Sequence, residues 1–257
     1  MPPLPFHLEP TQFLLLVVAA FFIGGAKTGL SGIGILAVPI FASVFDPFTS
    51  AGLLLPTLIV ADVTAVIAWR RHGDQKKLWP MVPWVLAGTA ICSYVLWLGH
   101  QENSRLAFFD HYLKQLLGLL ILAMLGLSIW KKGIEEWLRD HPHAAPATGF
   151  VAGIATTMNA AGPVMNLYLL AQKLPKEAFV GTGAWFFLVL NCAKVPILGV
   201  ATHTLTLETL WLTLALAPAV LLGCWLGFIL VKKIPEEGFQ ISVRILVLIA
   251  GLKLVCW

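Results

Sequence analysis

Polar and ionisable side chains inside long apolar stretches are the residues of this chain whose types could do chemistry. Of 257 residues, 58% are hydrophobic and 12% are charged, so an ionisable group within such a stretch is conspicuous. Charged groups at membrane depth are costly and usually mark a binding site or a pathway. The ionisable residues that fit this description are Lys27, Asp62, Lys194 and Arg244.

Lys27 lies in the glycine-rich run GGAKTGLSGIG at 24–34. Glycines allow the backbone to approach a ligand, and a helix that starts after the run would point its positive dipole end at an anion. Thr28 and Ser31 add hydroxyl donors. The run therefore predicts a small-anion site, with the alternative that Lys27 extends its long side chain to a membrane surface.

A second polar run, TTMNAAGPVMN at 156–166, carries neutral donors and acceptors. Pro163 suits the first turn of a half-helix that would follow the break. Hydrogen bonding between packed helices is the alternative use of such groups. The residues of this run that we predict to contact a ligand are Thr156, Thr157, Asn159 and Asn166.

Asn191 and Lys194 are three positions apart, so a helix would place them on one face and both are candidate ligand contacts. An approximate internal alignment sets Lys194 opposite Val66, one turn from Asp62. Asp62 could then pair with a lysine in a static ion pair or carry a coupling proton, and the sequence leaves both open. For Arg244 we expect contacts with backbone carbonyls or a lipid phosphate.

The elements that position these residues are predicted to be membrane-spanning helices. A mean hydropathy of +0.85 excludes an ordinary soluble domain and a disordered chain, and favours an all-α polytopic membrane protein. A span needs about 20 mostly apolar residues. Spans are predicted at 48–69, 78–99, 106–130, 178–200, 208–231 and 239–256. Two further apolar regions, 11–45 and 146–172, are interrupted by KTGLSGIG and NAAGP, and broken backbone is tolerated where it lines a buried cavity.

The two broken regions match each other. A shift of about 128 positions places Gly25 on Gly153 and Thr28 on Thr156. We therefore predict two four-segment repeats, each a broken helix hairpin followed by three spans, as in many transporters. Residues 1–130 form the first membrane repeat, 131–145 a cytoplasmic linker and 146–257 the second membrane repeat.

Charge placement predicts that the repeats are inverted. Lys and Arg crowd the loops at 70–77, 131–139, 173–176 and 232–233, and such loops face the cytoplasm. All four loops can face the cytoplasm only if the segment 146–172 begins and ends on the same side of the membrane, which makes it a hairpin. By the same argument the segment 11–45 is also predicted to be a hairpin. The two breaks are then expected to meet near the membrane midplane. The tryptophans near predicted span ends fit an interfacial belt: Trp69, Trp79, Trp97, Trp130 and Trp211.

Longer stretches carry a family resemblance. They are KTGLSGIGILAVP at 27–39, NAAGPVMNLYLL at 159–170 with LPKEAFVGTGAW at 174–185, and NCAKVP at 191–196. Through them the chain resembles the sulfite exporter TauE/SafE family of membrane permeases over most of residues 12–256. The resemblance implies transport of a small sulfur-containing anion such as sulfite, sulfoacetate or a related sulfonate, and a multi-pass protein of the inner cell membrane.

The leading hypothesis is a secondary transporter that works by alternating access around a midplane site. No G-x-x-x-x-G-K-[ST] motif is present, so a gradient or the substrate itself must supply the energy, with a proton as one option. We expect no cofactor, no metal, no enzymatic activity and no nucleic-acid partner. An anion channel with the same pore-lining residues is the alternative, which a saturable rate and proton dependence would separate.

An intramembrane serine protease is the remaining alternative. GLSG at 29–32 formally matches the G-x-S-G of such enzymes, with Ser31 as the nucleophile. The serine needs a base within hydrogen-bond reach, usually a histidine. All seven histidines fall in predicted loops or near span ends, which disfavours this hypothesis.

Overall fold

The computed structural model describes residues 8–29, 33–45, 47–100, 115–126, 132–157, 160–196 and 205–256. Across these ranges the regular secondary structure is helical and no strand occurs. The all-α prediction is confirmed. Four helical segments are long and apolar enough to cross a membrane: Pro10–Thr28, Gly52–Trp69, Lys176–Pro196 and Leu207–Lys233. The prediction of a polytopic membrane protein is confirmed as well.

The helices follow one another through short connections. In chain order they are α1 (Pro10–Thr28), a 3-10 turn (Ile33–Leu36), α2 (Ala37–Val44), α3 (Pro47–Trp69), α4 (Gln75–Leu78), α5 (Val82–His100), α6 (Gln115–Gly126), α7 (Lys132–Asp140), α8 (Ala144–Thr156), α9 (Ala161–Ala171), α10 (Lys176–Pro196), α11 (Leu207–Lys233) and α12 (Glu236–Cys256).

Within the described ranges a helix lies at the position of every predicted span, and two of the spans differ from their helices in detail. Residues 197–200, the end of the span predicted at 178–200, lie outside those ranges. The span predicted at 78–99 begins later, because the short helix α4 ends at Leu78 and α5 starts only at Val82, with Pro83 in its first turn. Of the span predicted at 106–130, the structure describes 115–126, which is helical. The residues on either side of that segment lie outside the described ranges.

Both predicted interruptions occur. Helix α1 ends at Thr28, and the chain next resumes as the 3-10 turn at Ile33. Helix α8 ends at Thr156, and α9 begins at Ala161 with a proline in its first turn. Ser31 and Asn159, predicted site residues at the two breaks, lie outside the described residues.

The predicted linker is partly helical. Helix α7 buries Leu138, while Trp137 is exposed. Gln172 donates from Nε2 to the carbonyl of Leu138 at 2.8 Å, which ties the linker to the end of α9. Arg139 donates two hydrogen bonds of 2.8 Å to the carboxylate of Asp140, and this contact holds the pKa of that exposed carboxyl below its usual value.

The chain forms two compact units. Unit 1 comprises Met1–Gly73 and Ala184–Ile234, and unit 2 comprises Asp74–Gly183 and Pro235–Trp257. Each unit therefore contains segments from both predicted repeats. The division into repeats and a linker concerns internal symmetry, and it stays a prediction.

Unit 1 is built on a close crossing of α1 and α11. A Cβ placed on Gly24 would overlap the carbonyl oxygen of Val220, and one on Gly223 would overlap that of Phe21. Small residues let helix backbones meet in this way, which is the usual basis of helix packing in membranes. Around the crossing lies a buried apolar core that includes Leu16, Ile23, Leu53, Leu212 and Leu216.

Unit 2 contains a crossing of the same kind between α5 and α8. A Cβ on Gly153 would overlap the carbonyl oxygen of Val85, and one on Gly88 would overlap that of Phe150. Thr89 adds a hydrogen bond to this crossing, because its Oγ1 donates to the carbonyl oxygen of Gly153 at 3.3 Å. Each unit thus contains one glycine-mediated helix crossing.

The two crossings match contact by contact. Gly24 and Gly153 are 129 positions apart. Phe21 and Phe150 are also 129 positions apart, and their carbonyl oxygens contact the glycine of the facing helix, Gly223 and Gly88 respectively. The sequence alignment paired Gly25 with Gly153, one residue off this register. Because Gly24 and Gly25 are adjacent, sequence alone accepts either offset, and only the backbone contacts select Gly24.

Candidate functional site

A buried ion pair lies among three apolar helices of unit 1. Lys27 of α1 places its Nζ 2.8 Å from Oδ1 of Asp62, which belongs to α3. Asn191 of α10 donates from Nδ2 to Oδ2 of Asp62 at 2.6 Å. The Asp62 side chain is fully buried and that of Lys27 is 12% exposed. Both carboxylate oxygens are therefore engaged, as a buried charge requires.

The end of α1 sets the position of Lys27. The residue lies in the last turn of the helix, where the negative end of the helix dipole favours a cation. Its Nζ also lies 4.0 Å from the ring centroid of Phe187, in cation–π geometry. A carboxylate and an aromatic face thus hold one lysine where lipid would otherwise exclude it.

Helix α10 contributes a single face to this site. Phe187, Asn191 and Lys194 follow the i, i+4, i+7 spacing that aligns side chains along a helix. Lys194 is partly buried, and its charge interacts with those of Lys27 and Asp62. We call Lys27, Asp62, Asn191 and Lys194 the charged cluster. Sequence reasoning missed Phe187, although its spacing to Asn191 was the available signal.

Thr28 holds the helices together beside the charged cluster. Its Oγ1 donates to the carbonyl oxygen of Cys224 in α11 at 2.7 Å and lies 3.1 Å from that of Gly24. The side chain is fully buried. The structure thus shows the Thr28 hydroxyl engaged with backbone, and its predicted ligand contact stays a prediction.

Trp69 was predicted to lie in the interfacial belt, and this is wrong. The residue is 1% exposed, and its Nε1 donates to the carbonyl oxygen of Thr28 at 2.9 Å. The last carbonyls of a helix lack partners within it, so this bond satisfies one that α1 leaves open. Trp69 therefore fixes the end of the helix that carries Lys27. By contrast, Trp79 and Trp211 are both 63% exposed.

The predicted residues of the second break lie in unit 2. Thr156 and Asn166 are buried. Thr157 donates from Oγ1 to the carbonyl oxygen of Ile154 at 2.7 Å and lies 3.2 Å from Sγ of Cys92. Arg244 is partly buried on α12 in the same unit. That the threonines and Asn166 contact a ligand stays a prediction.

The charged cluster has the chemistry of an anion site. Lysine ammonium groups and an amide donate hydrogen bonds, and the bonds from a charged donor to an anionic oxygen are the strong ones. Within the described ranges no group of three or more His, Cys, Asp or Glu residues comes together to hold a metal ion. What the cluster offers is positive charge at membrane depth, beside a carboxylate.

Helices long enough to span a bilayer, with a charged cluster on three of them, define a multi-pass membrane protein with a buried polar site. A family model described as sulfite exporter TauE/SafE matches residues 16–254, and the chain belongs to this family. The family resemblance read from the sequence is confirmed. Membership places the chain among transporters of sulfur-containing anions and not among enzymes. Neither a curated protein nor a solved structure matches the chain.

Proposed function

We propose that the protein is a secondary transporter of sulfite or a small organosulfonate across the inner cell membrane. The observation that carries this proposal is the Lys27–Asp62–Asn191 contact inside unit 1. A charged group buried among spanning helices is costly, and a purely structural membrane protein has no need of it.

Lys27 and Lys194 are the proposed binding cations, and Asn191 is a neutral donor. Sulfite and sulfonates present several oxygens that accept charge-assisted hydrogen bonds from such groups. Asp62 already pairs with Lys27 and Asn191, so an arriving anion shares these two donors with the carboxylate. Substrate occupancy is thereby linked to the strength of the internal ion pair.

Transport follows alternating access in this proposal, with a gradient of the substrate or of a coupling proton as the energy source. Thr28, Ser31, Thr156, Thr157, Asn159 and Asn166 remain proposed contributors to the path. Asp62 is the proposed residue for proton coupling or for the resting ion pair. Saturable flux in proteoliposomes supports a transporter, and flux that rises linearly with concentration would support a channel.

Sulfite binding to purified protein, measured by calorimetry, tests the proposal. We expect saturable binding in the wild type and at least about tenfold weaker binding in Lys27→Met and Lys194→Met, because each change removes a charge-assisted bond. Lys232→Met is the matched control, since Lys232 is an exposed unit 1 lysine that packs over Phe228, with its Nζ 3.8 Å from the ring centroid. Binding that survives both cluster variants would remove the site from the charged cluster.

A further inference from the structure

The net charge of the charged cluster follows from the formal charges of its residues. Lys27 and Lys194 each contribute one positive charge, Asp62 contributes one negative charge, and Asn191 contributes none. Among the described residues of unit 1, Lys27 and Lys194 are the charged groups that act on Asp62. With Asp62 in the ionised state that pairs with Lys27, the net charge of the cluster is therefore plus one.

The negative member of the cluster is fixed in place. Asp62 is fully buried, and each of its oxygens has its own partner, Lys27 on one side and Asn191 on the other. Asp62 lies within the span Gly52–Trp69 and its side chain is fully buried, so an arriving anion meets the carboxylate in place. An incoming anion is added to the cluster and does not replace Asp62.

We propose that this sum makes the site select monovalent anions, such as hydrogensulfite and organic monosulfonates, over dianions such as sulfate. One monovalent anion brings the cluster to neutrality, whereas a dianion leaves one negative charge uncompensated in a low-dielectric interior, which is costly. The inference rests on the proposed function, since the lysines of the charged cluster are also its binding groups.

Methanesulfonate and sulfate form the probe pair, because they are similar in size and keep charges of minus one and minus two throughout the neutral pH range. In the wild type we expect methanesulfonate to bind about 100-fold more tightly than sulfate. In Asp62→Asn, whose cluster sum is plus two, sulfate should become the tighter ligand. In Lys194→Gln, whose sum is zero, both anions should bind weakly. A thermal unfolding scan of each variant identifies those that are folded.

The outcomes separate the two proposals. Equal affinities for both anions, lost in Lys27→Met, would keep the proposed site and overturn the charge rule. The same preference in Asp62→Asn as in the wild type would also overturn it. Binding of neither anion, nor of sulfite, by the wild type would overturn the proposed function and the charge rule with it. If Asp62→Asn does not fold, the wild-type preference and the loss in Lys194→Gln decide the matter.

Discussion

The helix crossings of the two units share their packing and differ in their polar groups. In unit 1, Gly24 brings α1 against the backbone of α11, and in unit 2, Gly153 brings α8 against that of α5. One turn further along, α1 carries Lys27 and Thr28, while the equivalent positions of α8, 129 residues later, are Thr156 and Thr157. The glycine contacts are alike, but the position that holds Lys27 beside the first crossing holds Thr156 beside the second.

The difference shows that the positions that set the helix packing are not the positions that carry the polar groups. Backbone contact tolerates only glycine or another very small residue, so geometry alone dictates the residue type at the crossing point. A side chain at the next turn packs against other helices and can change without moving the crossing. In unit 1 that turn carries a cation held by Asp62 and Phe187, whereas in unit 2 Thr157 bonds to its own helix.

The largest effect should come from breaking the ion pair. Asp62→Ala leaves Lys27 buried without its carboxylate, and removing one partner of a buried pair costs about 3–5 kcal/mol of unfolding free energy. The comparison variant in unit 2 is Asn166→Ala, where a neutral buried group is lost and the cost is about 1–3 kcal/mol. Denaturant unfolding in mixed micelles measures both. Equal losses would mean that the charge contributes nothing beyond an ordinary polar contact.

Alanine at the two crossing glycines should cost about 1–3 kcal/mol each, because the new Cβ meets a backbone carbonyl that cannot move aside. Gly24→Ala and Gly153→Ala should lower the unfolding temperature by similar amounts. Gly126→Ala is the control, since no atom lies within 4 Å of a Cβ added there. A tolerated alanine at one crossing and not at the other would break the equivalence of the two.

Trp69→Phe should cost at least about 1 kcal/mol, because the hydrogen bond from the indole N–H to the carbonyl of Thr28 is lost. The smaller phenyl ring also leaves a cavity at this buried position. We also expect weaker sulfite binding, since the end of α1 carries Lys27. Trp79→Phe is the exposed control and should change neither the unfolding temperature nor the affinity. Unaltered sulfite affinity in folded Trp69→Phe would limit Trp69 to a packing role.

The smallest effect on stability should come from one threonine beside each crossing, Thr28 and Thr157. Thr28→Val removes a hydrogen bond between α1 and α11, and such bonds in membranes are worth about 0.6 kcal/mol. Thr157→Val removes a bond within its own helix and a contact with the thiol of Cys92, which is a weak hydrogen-bonding group, so the change should cost less. Unfolding curves of each variant, measured in repeats beside the wild type, show which variant is the less stable. A larger loss in Thr157→Val than in Thr28→Val would contradict the prediction.

Much of this molecule could be predicted from local sequence. Runs of apolar residues fixed the helix type and most helix bounds, and glycine and proline clusters located both interruptions. The i, i+3 spacing placed Asn191 and Lys194 on one face of a helix. Lys27 and Asp62 were recognised as candidates because they are ionisable residues inside apolar stretches. These inferences succeed because the membrane makes each charge and each break expensive, so few positions compete.

What could not be predicted depends on distant partners. The Thr28 hydroxyl bonds to a carbonyl 196 positions away, and a threonine in sequence gives no sign of whether it will meet a ligand or a helix. Trp69 lies at a helix end, like a belt residue, yet its N–H meets the end of α1. The one-residue difference between the predicted repeat alignment and the glycine contacts has the same origin, since only contact between backbones distinguishes neighbouring glycines.

The hydrogen bond between Asn191 and Asp62 joins residues that are 129 positions apart, the offset that also relates Gly24 of α1 to Gly153 of α8. Under the predicted internal repeat each residue is then the counterpart of the other, and the two equivalent positions contact each other. Two carboxylates there would repel each other, and two amides would leave Lys27 without a counter-ion. A symmetric dimer of identical halves could place two charges at this point or none. A single chain whose two halves differ in sequence can place one charge there, so the contact between equivalent positions can carry an odd charge.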